Sequence, residues 1–246
     1  MTAQLVTQMP EQYRPEDHEV WAALHAQQSP LVRTSATAGY LDALATLELP
    51  DDHVPDLDVV NAVMADLGQW QFVGVNGLLD SASFFELLAR RRFPVTVTMR
   101  GPDELDFAEL PDLFHDLFGH GPYLADPRTA ALYHQFGRLG TARADEPAFL
   151  DHLQRLLWAT LEVGLVQRGE RRLAFGGAIL SSASEMRRAL DAGAHVRPLQ
   201  ATTVLDDPID SFHLQGSYYV LDGPDEIATM LDVAESWAPL LPADGR

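Results

Sequence analysis

Two histidines and one glutamate set the chemistry open to this chain. His115 and His120 stand five residues apart in Pro111-Asp112-Leu113-Phe114-His115-Asp116-Leu117-Phe118-Gly119-His120-Gly121-Pro122. On a continuous α-helix that spacing leaves them about 140° apart, too wide for one small ion. The common helical zinc signature spaces its histidines four apart instead. The flanking residues predict a helix that stops between the two. Pro111 suits the first helical position and Asp112 the positive first turn. Leu113, Phe114, Leu117 and Phe118 supply contacts to a core. Gly119 is expected to take the left-handed conformation that ends a helix, and Pro122 to prevent its resumption. His120 then folds back toward His115 as a two-histidine pincer. Core or surface histidines are the ordinary alternative.

Downstream, Glu162 lies in the apolar run Leu156–Val166. Burying an ionised carboxylate costs several kcal/mol unless a cation accompanies it, so its partner is a basic side chain or a metal. The pincer favours the metal. Two neutral imidazoles and one carboxylate on one face of an ion leave the opposite positions open, a set typical of Fe(II) sites that handle dioxygen. Zinc fits the same ligands and implies a hydrolase, with Asp116 as the nearest candidate base. Dioxygen chemistry at one iron needs further electrons, from the substrate, a keto acid or a reducing cofactor.

The elements that position these groups are mostly helical. Helical spacing and start signals mark Pro15 onward, Thr37–Leu47, Leu57–Leu67 and Pro127–Gly140. They also mark Pro147 to about Gln167, Ala183–Leu190 and a last helix after Gly223. His18, in an acid-rich first turn, reads as a solvated residue rather than a ligand. Ser83-x-x-Glu86 predicts a capping box before Phe84 and Phe85. Short strands are expected at Trp70–Val75, from Pro94 to Thr98, and over His213–Leu221. Arg100 closes the second of these, where it suits a bidentate pair with a ligand carboxylate or is simply a surface arginine. In Leu173–Ser182 the small residues allow close backbone approach, and the serines orient a ligand histidine, bind substrate, or merely cap the next helix. The fold class is mainly α with small β elements (α+β). A loose lead-in over residues 1–12 precedes a single catalytic domain over 13–246, with a short irregular end at Pro239–Arg246.

The 246 residues suffice for one sizeable core. A net charge of −19 argues against nucleic acid and anionic membranes as partners. There are no cysteines, which excludes disulfides, thiolate metal sites and cysteine nucleophiles. Neither a signal peptide nor a membrane-spanning run is apparent, so a cytoplasmic protein is expected.

The run Pro111–Pro122 resembles the iron-binding motif of the pterin-dependent aromatic amino acid hydroxylases, the short bacterial phenylalanine 4-monooxygenases in particular. Tyr13–Trp21, Gly77-Leu78-Leu79, Phe93-Pro94-Val95, Arg100, Trp158, Glu162-Val163-Gly164-Leu165 and Ser181-Ser182 fall in order where that family has its landmarks. The resemblance implies Fe(II) on His115, His120 and Glu162. It implies a tetrahydropterin against Phe84, with Gly77, Leu78 and Leu79 as backbone contacts and Ser81 and Asp116 nearby. Arg100 would grip the substrate carboxylate, Trp158, Pro111 and Ser181 would shape the amino acid pocket, and Asp112 would orient neighbouring groups. Dioxygen would be split between iron and pterin, and a monomer is expected. L-Phenylalanine at the para carbon is the first substrate reading, with L-tryptophan or the meta carbon as the alternative. A non-catalytic amino acid or pterin sensor is a reading of another class. Leu110, Gly121, Leu157, Ala159, Val163 and Phe175-Gly176-Gly177-Ala178 depart from the family pattern, and most of those departures concern the pocket.

Overall fold

Proline in the first turn and an acid that caps it start α1 (Pro15–Ser35), where the Asp17 carboxylate accepts the Arg14 backbone N–H at 2.7 Å. Trp21 of α1 is buried edge-on against Phe114, ring centroids 5.1 Å apart, so the first helix packs directly under the histidine segment. Helices α2 (Ala38–Leu47) and α3 (Leu57–Leu67) follow across the acidic turn expected at Pro50–Pro55. The computed structural model describes residues 4–67, 70–106, 108–200, 203–204, 207, 209 and 213–234. Expectations for Pro239–Arg246 lie outside the described residues.

Strand β1 (Gln71–Val75) pairs in parallel with β2 (Arg92–Thr96), and α4 (Ser81–Ala89) is their crossover. Two local expectations are corrected here. Asp80, not Ser83, caps α4, its carboxylate accepting the Ser83 N–H at 2.9 Å. Pro94 does not launch the second strand but sits inside it, opposite Val73. The Arg91 carbonyl and the Val97 N–H face β1, so the even positions between them face outward and Pro94 loses no ladder bond. Thr96, on that same outer edge, gives its N–H to Asp116. The lead-in expected to be loose is tied down over residues 4–12: Val6 N–H donates to Gly74 at 2.9 Å, and the Gln8 side chain bridges Pro55 and Leu57.

Helices α5 (Gly121–Ala125), α6 (Pro127–Ala142) and α7 (Pro147–Leu157) lead to β3 (Gly164–Arg168). The helix expected to reach Gln167 therefore ends at Glu162, because the Gly164 carbonyl turns to accept the N–H groups of Phe175 and Gly176 and the chain continues as a strand. After β4 (Arg171–Ala174) come α8 (Gly177–Leu180), α9 (Ala183–Leu190), β5 (Val196–Pro198), β6 (Tyr218–Leu221) and α10 (Pro224–Ala234). The second sheet has the order β4-β3-β6-β5, antiparallel only at β3–β4. The strand expected over His213–Leu221 is confined to β6, since the Gln215 N–H is taken by Glu185. No helix among the described residues is long and apolar enough to cross a membrane.

Candidate metal centre and its cavity

The helix carrying the two histidines does not stop between them. Asp112 caps it, its carbonyl accepting the Asp116 N–H and its carboxylate the His115 N–H, each at 3.0 Å. Residues His115–His120 then form one π-helical turn that runs straight into α5. An i→i+5 turn brings residues five apart onto one face, which an α-helix would not do. The pincer is thus made by a widened turn and not by a glycine stop. Pro122 is tolerated because it falls in the first turn of α5. Gly119 serves close packing instead: a Cβ there would lie 2.6 Å from the Gly177 carbonyl oxygen.

A second π-helical turn, Trp158–Glu162, extends α7 and delivers Glu162. His120 Nε2 lies 3.2 Å from both His115 Nε2 and Glu162 Oε2, and His115 Nε2 lies 3.7 Å from Glu162 Oε2. Donors bound at right angles about 2.1 Å from one ion would be about 3.0 Å apart. These three atoms therefore need only small shifts to share a metal. The other ring nitrogens are held by hydroxyls. Ser181 Oγ donates to the Gly177 carbonyl at 2.8 Å, so at 2.9 Å it accepts from His115 Nδ1–H. That fixes the tautomer and leaves His115 Nε2 a bare lone pair. Tyr133, from α6, places its hydroxyl 2.7 Å from His120 Nδ1. The bare His115 Nε2, the His120 Nε2 and the Glu162 carboxylate converge where one cation can join them, and the residues fit a metal on that ground. Gly177 lets this happen, as a Cβ on it would come 2.4 Å from His120 Cε1.

Of the roles expected for the serines, two are seen, orienting a histidine and capping a helix. Ser181 holds His115, and Ser182 caps α9 by accepting the Glu185 N–H at 3.2 Å. Tyr133 was not anticipated. Its signal was a tyrosine among the buried Ala130, Leu132 and Phe136, whose hydroxyl needs a partner.

Burial, with His120 beside it, pushes the His115 pKa down to about 4, so this imidazole is neutral at pH 7. Burial works against a charge on His120 too, but Glu162 alongside holds its pKa above the usual value. Burial would raise Glu162, yet His120 and then His115 hold it below the ordinary carboxylate range. Burial pushes Asp116 up to about 7, despite the Thr96 N–H that its Oδ2 accepts at 2.6 Å.

The three candidate ligands open onto a cavity of about 320 Å³. Gly77, Leu78, Leu79, Ser81, Phe84 and Asp116 line it, as do Arg100, Pro111, Trp158 and Ser181. Asp112 is not on its wall. It lies behind Arg100, accepting Nε at 2.8 Å and Nη2 at 2.9 Å. Arg100 is accordingly buried, at 9% exposure, and is not the surface arginine of the alternative reading. His18 is no cavity residue either; its Nδ1 accepts the Val54 N–H at 3.1 Å and pins the acidic turn.

Residues 4–238 match the family described as biopterin-dependent aromatic amino acid hydroxylases. The chain belongs to that family. The phenylalanine-4-hydroxylase of Pseudomonas aeruginosa is 37% identical over 229 residues, 89% of this chain and 85% of its own. A phenylalanine 3-hydroxylase of Streptomyces coeruleorubidus is 34% identical over 88% of this chain and 76% of its own. The structure of the Chromobacterium violaceum phenylalanine hydroxylase with bound iron(III) and oxidised 7,8-dihydrobiopterin superposes with a TM-score of 0.89 at 34% identity, covering 96% of this chain and 86% of that one. Among the departures from the hydroxylase pattern, Leu157, Val163 and Ala178 line the cavity, Leu110 stands at it 56% exposed, and Gly121 is buried against Leu47 and Phe72.

Proposed function

We propose that this chain is a tetrahydropterin-dependent iron monooxygenase that hydroxylates the ring of a free aromatic amino acid, L-phenylalanine at the para carbon first. The observation that carries the reading is the convergence of His115, His120 and Glu162 from two π-helical turns, with Nδ1 of each imidazole turned away to a hydroxyl. When bound there, iron(II) and a tetrahydropterin supply the oxygen activation and the electrons that ring hydroxylation by dioxygen requires. The chain's own residues do the rest. Phe84 offers a ring for the pterin to pack on, with Gly77, Leu78, Leu79 and Ser81 around it and Asp116 at its rim. Arg100, held flat by Asp112, presents its remaining edge to the substrate carboxylate. Trp158 and Pro111 enclose the aromatic ring, and Ser181 keeps His115 in the ligating tautomer.

Attack at the meta carbon, or on L-tryptophan, is the second reading. Leu157, Val163 and Ala178 set the cavity's shape, and a relative named for 3-hydroxylation aligns over most of the chain. Incubation with iron(II), a tetrahydropterin and each of phenylalanine, tryptophan and tyrosine, with products identified by mass spectrometry and NMR, decides the substrate and ring position. No product from any of them overturns the reading: binding without turnover would indicate a sensor, and activity with zinc but none with iron(II) a hydrolase. The reading carries with it a monomer acting in the cytoplasm, of which light scattering checks the first part.

A further inference from the structure

We propose that Glu185 is the partner of the substrate's α-ammonium group, a specificity residue on the cavity wall. This rests on the aromatic amino acid reading above and deepens it. Glu185 sits in the first turn of α9, one turn beyond Ser181, and is 5% exposed. It lines the same cavity as Arg100, Trp158 and His115. Its carboxylate accepts the Tyr218 O–H and, across both oxygens at 3.2 and 3.3 Å, the single N–H of Gln215. Those donors are neutral. The cation whose field reaches it is Arg188, exposed on the same helix, and no ion pair involving Glu185 forms among the described residues.

The other buried acids of the site differ in this respect. Asp112 has Arg100, Glu162 has two imidazoles, and Asp116 lies beside the metal-binding pair. Glu185 has a cavity in front of it and, among the described residues, no ion-pair partner, an arrangement that is unfavourable for a carboxylate until a positive group arrives. Burial accordingly raises its pKa. A free amino acid brings that positive group on the same carbon as the carboxylate for Arg100. Gln215 fixes the geometry, because the residue whose N–H holds Glu185 also accepts the Trp158 Nε1–H on its side chain at 3.4 Å. The ammonium partner and the ring wall are thereby tied together.

The competing role is a purely structural one, fastening residues 213–217 to α9. L-Phenylalanine and 3-phenylpropanoate, which has the same ring and carboxylate but no ammonium, separate the two. Their binding to the anaerobic iron(II)-loaded protein is measured by calorimetry in the parent and in Glu185→Gln. The substitution is expected to weaken phenylalanine about ten- to a hundredfold, as loss of one hydrogen bond to a charged group does, and to leave 3-phenylpropanoate within about twofold. Equal weakening of both ligands, or of neither, overturns the proposal. Should Glu185→Gln not fold, the parent alone still decides: phenylalanine must bind at least about tenfold tighter than 3-phenylpropanoate, and equal affinity overturns the assignment. A parent that binds neither overturns the amino acid reading and this proposal with it. A parent that binds phenylalanine beside an indifferent Glu185→Gln overturns this proposal alone.

Discussion

His115 Nε2 and His120 Nε2 stand 3.2 Å apart across a single π-helical turn, both turned toward the Glu162 carboxylate. Two imidazoles and a carboxylate this close are a donor set that one cation can join, so metal binding stabilises the fold as well as arming the site. Iron(II) at about a hundred times its dissociation constant is expected to stabilise the parent by about 2.7 kcal/mol, seen as a rise in melting temperature. His120→Ala and Glu162→Gln should remove that rise and the bound iron together. Full iron occupancy in either variant would show that the metal lies elsewhere.

Tyr133 holds a candidate ligand without being one. Its hydroxyl is 2.7 Å from His120 Nδ1, and replacing a group that orients a metal-bound imidazole weakens metal binding or activity about ten- to a hundredfold. Tyr133→Phe keeps the packing against Trp70 and Phe93, so its melting temperature without metal should stay near the parent's while iron affinity falls. Ser181→Ala should act likewise through His115. An iron titration of each variant checks both.

Two glycines meet where the two halves of the site touch. A Cβ on Gly177 would come 2.4 Å from His120 Cε1, and one on Gly119 2.6 Å from the Gly177 oxygen. Neither neighbour is the free end of a flexible side chain. Gly177→Ala and Gly119→Ala are expected to cost about 1–3 kcal/mol, the usual penalty of overpacking a tight interior. Gly177→Ala should also weaken iron binding, because it displaces His120, a proposed ligand. Urea unfolding with and without iron(II) separates the two effects.

Much of this site was legible from residue types alone. A carboxylate in an apolar run needs a basic partner or a metal, and that need singled out Glu162 as a candidate ligand before any fold was known. Gly119 and Pro122 misled because their usual meaning is a helix end. Here the backbone widened its turn instead, with Asp112 at its cap and Gly177 leaving room for His120 across the interface. The same holds for Glu162, where apolar periodicity continued past the helix into β3 and masked the boundary. Pro94 misled because only the partner strand shows which edge needs its N–H. Tyr133 and Glu185 meet their partners through tertiary packing, 13 and 33 residues from His120 and Tyr218. No local spacing carries either.

Arg100 and Asp112 form a buried bidentate pair, and the partner left behind when one is removed determines the cost. Arg100→Ala leaves Asp112 charged and buried and should destabilise the fold by about 3–5 kcal/mol. Arg100→Lys keeps the charge but not the planar fork, so it should fold and still raise KM for phenylalanine more than it lowers kcat. A KM unchanged in Arg100→Lys would remove Arg100 from substrate binding.

Asp116 gives the protein a pH dependence of recognisable sign. Burial holds its folded pKa at about 7, against an ordinary value of 3.8. Between those values the folded state keeps a proton that the unfolded chain has released, so the unfolded state binds fewer protons and stability falls as pH rises. Above about pH 7 both states are ionised and the loss is complete, at most of order 4 kcal/mol for a shift of that size. Asn cannot ionise yet still accepts the Thr96 N–H. The metal-free parent should therefore lose stability relative to Asp116→Asn steadily from about pH 4 to about pH 7, the window those two pKa values define. Iron(II) beside Asp116 favours its ionised form and should shrink that difference. Denaturant unfolding of both proteins at stepped pH, with and without iron(II), measures it directly, and a difference independent of pH would mean that Asp116 is already ionised in the folded protein.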